Sequence, residues 1–304
     1  MTPRILIIKL SALGDFVQAM TAMQAVRAHY PNGQIDLLTT KPFLALAKAC
    51  GLFDEIIIDP RPKITERQKL KQLKLSLNSK YTQIIDFQTN DRTRMYSSLL
   101  VDPKPDWVGP LNGARFEHKT PWRHTLPALE RMREQLQIAG IPYHPFDDLK
   151  WAQADLSKFE LPDRYALLVP GGSAHRPEKR WPAPRYGMVA AHLADKGITP
   201  IVLGHGEEEA ALAATIIERA PTARSLVSQT DFLEIISLAR PAYCAIGNDT
   251  GPMHLIAPTG CPSLVLFSNA STPALCRPRG ADVVIFQRDD LASLPHDEVT
   301  GALP

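Results

Sequence analysis

The chain has 304 residues, of which 44% are hydrophobic and 22% are charged. This composition excludes bulk disorder, and the length predicts about two domains of roughly 150 residues each. The formal net charge of +2 argues against a nucleic-acid-binding protein, which would usually be far more basic. The charge is uneven, because residues 1–150 hold 21 Lys and Arg against 15 Asp and Glu, whereas residues 151–304 hold 13 against 17. We therefore predict two domains, 1–150 and 151–304, with different partners.

In the first half, short β-branched runs alternate with helical patterns, which is typical of parallel strands buried on both faces. The predicted strands are Arg4–Lys9, Gln34–Leu38, Glu55–Asp59 and Gln83–Phe87. The first predicted helix, Asp15–Tyr30, has one apolar face and ends at Pro31-Asn32-Gly33. Further helices are predicted at about 42–50, 65–78, 91–100 and 125–139.

Residues 140–163 lose this periodicity and contain three prolines, which predicts a linker. The alternation then resumes with the predicted strands Tyr165–Val169, Pro200–Leu203, Tyr243–Ile246, Ser263–Phe267 and Asp282–Phe286. Helices are predicted at about 183–196, 207–219, 231–239 and 251–258. We therefore expect an α/β fold with two Rossmann-like doubly wound domains. Facing one another, they would leave a central cleft at the carboxyl ends of their strands.

The segment from Lys9 to Asp15 (KLSALGD) follows the first predicted strand and leads into a helix. Small residues such as Ser11 and Gly14 at such a turn let another molecule approach the backbone. Asp15 is either a helix N-cap that stabilises by about 1 kcal/mol or a general base that takes a proton from an attacking hydroxyl. The segment is neither a Walker A motif nor a GxGxxG fingerprint, which argues against an ATPase or a simple NAD enzyme.

A second motif, Pro170-Gly171-Gly172-Ser173, follows the first predicted strand of the second half and is trailed by Lys179 and Arg180. Glycine amides, a hydroxyl and two cations suit a phosphate or diphosphate. An ordinary glycine-rich loop with a solvated basic pair explains this pattern about equally well.

A third motif, Asp249-Thr250-Gly251, connects a predicted strand to a helix that carries His254. Thr250 and the amides from Gly251 onward would meet the same phosphate, and Asp249 could accept hydrogen bonds from sugar hydroxyls. His254 either faces that phosphate or is an ordinary buried helical residue.

Three consecutive acids, Glu207 to Glu209, follow the strand predicted at Pro200–Leu203. An acid just past a strand end can hold ribose hydroxyls, and acids at a helix start otherwise complement the helix dipole.

The segment Arg61–Lys80 has seven basic residues and one acid. It is either a solvated helix face or a surface for anionic lipid head groups. Arg92, Arg94 and Arg115 add positive charge to this half and could meet an anionic acceptor.

Three segments, KLSALGD, PGGSAHRPEKRWP and GNDTGPMHLIAPTGCPSLVLFSNASTPALCRPRG, resemble glycosyltransferase family 9, the ADP-heptose:lipopolysaccharide heptosyltransferases, in order and spacing. The resemblance covers nearly the whole chain. It implies a GT-B fold and an inverting transfer that uses no metal ion and no cofactor besides a nucleotide-sugar donor. The implied acceptor is the lipopolysaccharide inner core, an anionic glycolipid. The third segment reads DTGPMH, a general form that leaves the donor sugar and the acceptor position open.

The resemblance implies that Asp15 is the catalytic base and that Lys179 holds the diphosphate. The candidate donor-binding residues are Gly171, Gly172, Ser173, Arg180, Glu207, Asp249, Thr250, Gly251 and His254. The candidate acceptor-binding residues are Lys9, Ser11, Gly14, Arg92, Arg94 and Arg115.

No segment approaches the roughly 18–20 apolar residues of a membrane span, and the N-terminal apolar run is too short for a signal peptide. We therefore expect a cytoplasmic protein, with peripheral contact at the inner membrane left open.

Two alternative functions remain, a nucleotide-sugar 2-epimerase on the same fold and a non-catalytic sugar-nucleotide-binding protein. The basic first half argues against the first, and Asp15 alongside both phosphate loops argues against the second.

Overall fold

The computed structural model of the chain describes residues 2–63, 65–78, 81–119, 125–143, 148–173 and 175–304. The chain divides into two compact units, Met1–Phe146 and Asp147–Pro304. Each unit contains one six-stranded sheet in which every neighbouring pair of strands is parallel. Helices connect most of the strands, so each unit is a doubly wound α/β domain as predicted.

The first unit holds the sheet with strand order β3-β2-β1-β4-β5-β6. Its strands are β1 (Arg4–Ile8), β2 (Gln34–Thr39), β3 (Glu55–Ile58), β4 (Gln83–Asp86), β5 (Asp106–Gly109) and β6 (Phe116–Glu117). Its helices are α1 (Leu13–His29), α2 (Leu44–Ala49), α3 (Arg67–Leu77), α4 (Asp91–Ser97) and α5 (Ala128–Ile138), with a 3-10 turn at Lys41–Phe43. The direction of winding reverses between β1 and β4.

The second unit holds the sheet with strand order β12-β11-β10-β7-β8-β9. Its strands are β7 (Tyr165–Val169), β8 (Thr199–Val202), β9 (Arg224–Ser225), β10 (Ala245–Asn248), β11 (Ser263–Phe267) and β12 (Val283–Gln287). Its helices are α6 (Ala183–Asp195), α7 (Glu207–Arg219), α8 (Phe232–Ala239), α9 (Gly251–Ile256), α10 (Pro273–Cys276) and α11 (His296–Gly301). Shorter 3-10 turns lie at Ser157–Phe159, Pro177–Lys179, Ala257–Thr259 and Leu291–Ser293. Here the winding reverses between β7 and β10.

The nine strands predicted from apolar runs are confirmed, because residues such as Ile5–Ile8 pack on both faces of the sheet and are fully buried. The prediction for β10 was two residues too early, since the strand extends to the buried polar Asn248. The sequence did not predict β5, β6 and β9. Two of these have only two residues, and β5 lacks a continuous apolar run.

The C-terminal stretch after β12 has little sequence pattern, yet it docks on the core of the second unit. Leu291, Leu294 and Val299 are buried in the same cluster as Trp181. The indole Nε1 of Trp181 donates a hydrogen bond to the Leu294 carbonyl at 3.0 Å. Arg185 donates to the same carbonyl at 2.7 Å. These contacts attach the tail to α6.

The predicted linker contains both described and undescribed residues, since residues 144–147 lie outside the described ranges. The part from 148 onward packs on the second unit. The backbone N–H of Ala154 donates to Ser237 Oγ at 2.8 Å, and Arg240 donates to the Leu149 carbonyl at 2.7 Å. Arg224 donates to the Phe159 carbonyl at 2.7 Å.

Because Leu294 is fully buried in the core, we expect Leu294→Ala to lower the free energy of unfolding by about 2–5 kcal/mol. Urea-induced unfolding followed by circular dichroism measures this change. Leu75→Ala is the control, since Leu75 is 66% exposed and its loss should change stability by less than about 0.5 kcal/mol. Equal stability of the two variants would show that the tail is not part of the core.

Candidate active site

The motifs identified in the sequence lie where the winding of each sheet reverses. The segment from Lys9 to Asp15 follows β1, and residues 87–90 follow the neighbouring β4. In the second unit, the loop from Pro170 follows β7, and Asp249 follows the neighbouring β10. Ligands of doubly wound sheets bind at this position, outside the carboxyl ends of the strands.

In the first unit, the Gln88 side chain holds the loop that follows β1. Its Oε1 accepts hydrogen bonds from the backbone N–H groups of Leu10 and Ser11, at 2.8 and 2.9 Å. Its Nε2 donates to Ser11 Oγ at 3.3 Å. On the other side, Thr40 Oγ1 donates to the Leu10 carbonyl at 2.9 Å. Ser11 is therefore part of a loop fixed from both neighbouring strands.

Asp15 is the third residue of α1, one residue after Gly14 and three after the N-cap, Ala12. Because Ala12, and not Asp15, occupies the N-cap position, the interpretation of Asp15 as the N-cap residue is wrong. Asp15 is exposed, and its carboxylate makes no hydrogen bond or ion pair with any residue that the structure describes. A free carboxylate at this edge is available to take a proton.

Asp15 lines a pocket of about 60 Å³ together with Lys9, Gln88 and Arg131. The ammonium of Lys9 is buried, with only 5% of the residue exposed, and donates to the Phe87 carbonyl at 3.3 Å. Burial lowers the pKa of Lys9, while the negative charges of Asp15 and Asp86 act in the opposite direction. The sequence had not singled out Arg131, which lies on α5, far along the chain.

The three predicted acceptor-binding arginines are not brought together. Arg92 and Arg94 lie on α4, which follows β4, and Arg94 pairs with Asp91 at 3.2 Å. Arg92 is partly buried and lies 3.5 Å from the Tyr96 hydroxyl. Arg115 pairs with Asp106 at 2.8 Å. Since Asp106 is the first residue of β5, Arg115 lies at the amino end of the sheet, opposite Asp15, and its prediction as a site residue is wrong.

In the second unit, Asn248 at the end of β10 joins the two loops of the site. Its Nδ2 donates to the carbonyls of Pro170 and Gly171, at 2.7 and 3.0 Å. Its Oδ1 accepts from the Trp181 backbone N–H and from the Tyr186 hydroxyl, both at 3.0 Å. The side chain is completely buried, and these four hydrogen bonds use both N–H donors and both lone pairs of Oδ1.

Lys179 and Asp249 form an ion pair with 2.7 Å between Nζ and Oδ2. The same oxygen of Asp249 accepts a hydrogen bond from Ser271 Oγ at 2.7 Å. Both charged side chains are largely buried, with 13% and 7% exposed. The structure thus brings together two residues that the sequence placed at the donor. It adds Ser271 from the loop after β11, which the sequence analysis had missed.

The other predicted donor residues lie around this ion pair. Thr250 is the N-cap of α9 and Gly251 its first residue, and the Thr250 side chain makes no capping bond. Ser173 is exposed on the loop after β7. His254 is buried on α9.

The three acids at the start of α7 make different contacts. Glu207 is exposed and makes no hydrogen bond or ion pair among the residues with described positions. Glu208 pairs with Arg180, which lowers the pKa of Glu208 and raises the pKa of Arg180. Arg180 also donates to the Gly172 carbonyl at 3.0 Å. Arg180 therefore already has two acceptors and braces the glycine loop.

Glu209 is the acid that contacts the site loops. Its carboxylate accepts hydrogen bonds from the backbone N–H groups of Gly172, at 3.2 Å, and His205, at 2.8 Å. A Cβ at Gly171 would lie 2.0 Å from Glu209 Oε1, and one at Gly204 would lie 2.5 Å from Oε2. The two glycines therefore make room for this carboxylate. The Gly172 amide, predicted to hold phosphate, is occupied by Glu209.

Within the described ranges, no group of three or more His, Cys, Asp or Glu side chains is placed to hold a metal ion. The same ranges contain no helix that is long and apolar enough to cross a membrane.

Comparison with known proteins relates this arrangement to one family. The model of "Glycosyltransferase family 9 (heptosyltransferase)" matches residues 71–300, which is well over half of the chain. The chain belongs to glycosyltransferase family 9. It is 24% identical to lipopolysaccharide heptosyltransferase 2 of Escherichia coli (strain K12) over 90% of this chain and 85% of that protein.

Two solved structures show the same fold as this glycosyltransferase. One is the family 9 glycosyltransferase from Veillonella parvula, with a TM-score of 0.81, 20% identity and coverage of 99% of this chain and 96% of that one. The other is E. coli heptosyltransferase WaaC with ADP, with a TM-score of 0.79, 20% identity and 98% coverage of both chains. The predicted GT-B fold is confirmed. Family membership favours a glycosyltransferase over the epimerase and the non-catalytic alternatives.

Because a methyl group at residue 171 would push the Glu209 carboxylate away from the N–H groups of Gly172 and His205, we expect Gly171→Ala to lower the free energy of unfolding by about 1–3 kcal/mol through the lost hydrogen bonds. Urea-induced unfolding measures this change. Gly172→Ala is a matched control in the same loop, since its Cβ would meet nothing closer than Arg180 Cγ at 3.5 Å.

The substitution Glu209→Ala removes the obstacle, so Gly171→Ala should cost less in that background than in the wild type. If the cost of Gly171→Ala is the same in both backgrounds, the carboxylate is not what requires a glycine at residue 171.

Proposed function

We propose that this glycosyltransferase moves a heptose or a related sugar from an ADP-sugar to the lipopolysaccharide inner core or a related cell-surface glycolipid. The transfer is inverting and independent of a metal ion. The observation that carries this proposal is that Asp15 has a free carboxylate at the reversal point of one sheet, while Lys179 and Asp249 occupy the reversal point of the other. The names of the similar proteins, a lipopolysaccharide heptosyltransferase and a heptosyltransferase with ADP, support the choice of substrates.

In this proposal, the second unit holds the donor. Lys179 binds the diphosphate and stabilises the negative charge that develops as ADP leaves. Thr250 contributes its free hydroxyl, and Asp249 accepts hydrogen bonds from hydroxyls of the sugar. Lys179 supplies the positive charge that a metal ion provides in other transferases, which is the reason for proposing metal-independent transfer.

The first unit holds the acceptor near Lys9, Ser11 and Gly14, with Arg92 and Arg94 contributing positive charge. Asp15 takes the proton of the acceptor hydroxyl as its oxygen forms a bond to the anomeric carbon. The bond from that carbon to the diphosphate oxygen breaks on the opposite face, so the configuration inverts. The products are the glycosylated acceptor, ADP and protonated Asp15, which then loses its proton to water.

Because general-base catalysis contributes about 10²–10⁴-fold, we expect Asp15→Asn to lower kcat by that factor while the KM for the ADP-sugar changes little. The assay follows ADP release and the glycosylated acceptor by mass spectrometry. Asp297→Asn is the matched control, since Asp297 is also an exposed acid in the first turn of a helix, α11. It should keep wild-type kcat.

Nuclear magnetic resonance of the product gives the anomeric configuration, and the same assay in excess EDTA tests the metal. Retained configuration or loss of turnover in EDTA would contradict the inverting, metal-independent transfer. Wild-type turnover by folded Asp15→Asn would contradict the role of Asp15.

We further propose that the enzyme works at the cytoplasmic face of the inner membrane and contacts it through α3. The side chains of Leu73 and Leu77 anchor this helix in the core. Its exposed face carries Leu75 and the cations Arg67, Lys69, Lys71 and Lys74. The exposed Val101 lies near the end of the same helix, since its N–H donates to Asn78 Oδ1 at 2.8 Å. Apolar side chains flanked by lysines suit an anionic lipid surface. Lys80, at the end of the basic segment, lies outside the described residues.

We expect sedimentation with anionic phospholipid vesicles, and we expect the Lys71→Glu/Lys74→Glu variant to bind them at least about tenfold more weakly. Added salt should weaken the wild-type binding, because it screens exposed charges. Lys150→Glu/Lys196→Glu is the control, with the same charge change at exposed lysines of the second unit. An equal loss in the control, or equal binding to neutral vesicles, would contradict contact through α3.

A further inference from the structure

The pocket beside Asp15 contains a second cation, Arg131, which the proposed mechanism does not use. Arg131 lies on α5, which packs against α1, the helix that carries Asp15. It lines the pocket together with Lys9 and Asp15. Its guanidinium makes no hydrogen bond or ion pair with any residue whose position is described. A guanidinium has five N–H donors, so it retains its full capacity for an acceptor.

Lys9 also has unused hydrogen-bonding capacity. Its ammonium carries three donors, and the one hydrogen bond found for it within the described ranges goes to the Phe87 carbonyl at 3.3 Å. It is 95% buried, and a buried ammonium without good acceptors is costly. An anion in the pocket would supply the missing acceptors.

Asp86 lies beneath the pocket, but it is not a hydrogen-bond acceptor for Arg131. Asp86 accepts hydrogen bonds from the backbone N–H groups of Gln88 and Thr89 and from the Thr93 hydroxyl, at 2.9, 2.9 and 2.7 Å. It is buried and does not line the pocket. The charged residues that do line it are two cations and one anion, Asp15. The lining therefore has one cation more than anions, and the Asp86 carboxylate beneath it is already hydrogen-bonded.

We infer that Lys9 and Arg131 form a subsite for one oxyanion of the acceptor, a carboxylate or a phosphate, next to the hydroxyl that Asp15 deprotonates. This inference rests on the proposed function, because it places an acceptor in the first unit. The pocket volume of about 60 Å³ corresponds to a few water positions at roughly 10–15 Å³ each. It has room for one small acidic group but not for a whole sugar ring.

The subsite would orient the acceptor. Arg131 can hold a carboxylate or a phosphate through two parallel N–H···O bonds, which fixes its direction as well as its position. With its acidic group held in the pocket, the acceptor presents a neighbouring hydroxyl to the carboxylate of Asp15. Arg131 and Lys9 thus act on acceptor binding, whereas Asp15 acts on the proton.

We expect Arg131→Ala to raise the KM for the acceptor about tenfold or more, as for other hydrogen bonds to a charged group. The KM for the ADP-sugar and the melting temperature should stay near wild type. Arg131→Lys should recover only part of the loss, since lysine cannot form the bidentate pair. Arg133→Ala is the matched control, two residues further along α5, where Arg133 is half-exposed and pairs with Glu130 at 2.7 Å.

The acidic group is identified with three preparations of the inner-core lipopolysaccharide acceptor. One is intact, one has its phosphates removed, and one has its carboxyl groups reduced to alcohols. The preparation that lacks the bound group should have a raised KM with wild-type enzyme. Arg131→Ala should not raise that KM further, because the interaction is already absent.

The outcomes separate the subsite from the proposed function, provided that acceptor binding is also measured directly by calorimetry. If Arg131→Ala behaves like Arg133→Ala while the wild type transfers sugar, the subsite is wrong and the function stands. A fall in kcat with unchanged acceptor KM and a shifted pH profile would also overturn the subsite, since Arg131 would then act through Asp15. If the wild type binds the acceptor through Arg131 but transfers nothing, the proposed function fails and the subsite stands. If it neither binds nor transfers, both are wrong.

Discussion

The four hydrogen bonds of the Asn248 side chain are the interaction on which the second half of the site depends. At the end of β10, this amide donates to two carbonyls of the glycine loop and accepts from the Trp181 backbone and the Tyr186 hydroxyl. The loop after β7 and the segment leading to α6 are therefore fixed relative to β10, one residue before Asp249. A buried amide left without its partners would cost about 1–3 kcal/mol. The four hydrogen bonds therefore stabilise the fold as well as the positions of the two loops.

In the first unit, Gln88 has the corresponding role: it follows β4, and its side chain fixes the loop after β1. In both units, the amide lies at the reversal point of the sheet and acts on a loop roughly 80 residues away in sequence. An amide suits this position because it donates and accepts at once, and a loop exposes both kinds of backbone group. It also carries no charge, so it leaves the electrostatics of the site to Asp15, Lys9 and Lys179.

Apolar runs predicted the strands except β5, β6 and β9, and the turn motifs predicted which loops follow the strands at the reversal points, because both signals are local. What the sequence could not show is which groups are already occupied. Arg180 and the Gly172 amide fit a phosphate by chemistry alone, yet Glu208 and Glu209 hold them. Three consecutive acids cannot be told apart by spacing, and the helical turn decides which one faces the loop. The roles of Asn248 and Gln88 could not be predicted, because they depend on hydrogen bonds to residues that are distant in the sequence.

In the proposed function, the ion pair between Lys179 and Asp249 sets the energetic condition for binding a diphosphate in the second unit. Removing the partner of a largely buried charge costs several kcal/mol, so Lys179 leaves Asp249 only if a comparable anion replaces it. A diphosphate meets that condition because it offers several charged oxygens at once. Asp249 does not then become an isolated charge, since Ser271 continues to donate to the same carboxylate oxygen and sugar hydroxyls can donate to the other. Under the same proposal, a nucleoside without the diphosphate has no group that replaces Asp249 beside Lys179, so the ion pair would favour charged donors over neutral ones.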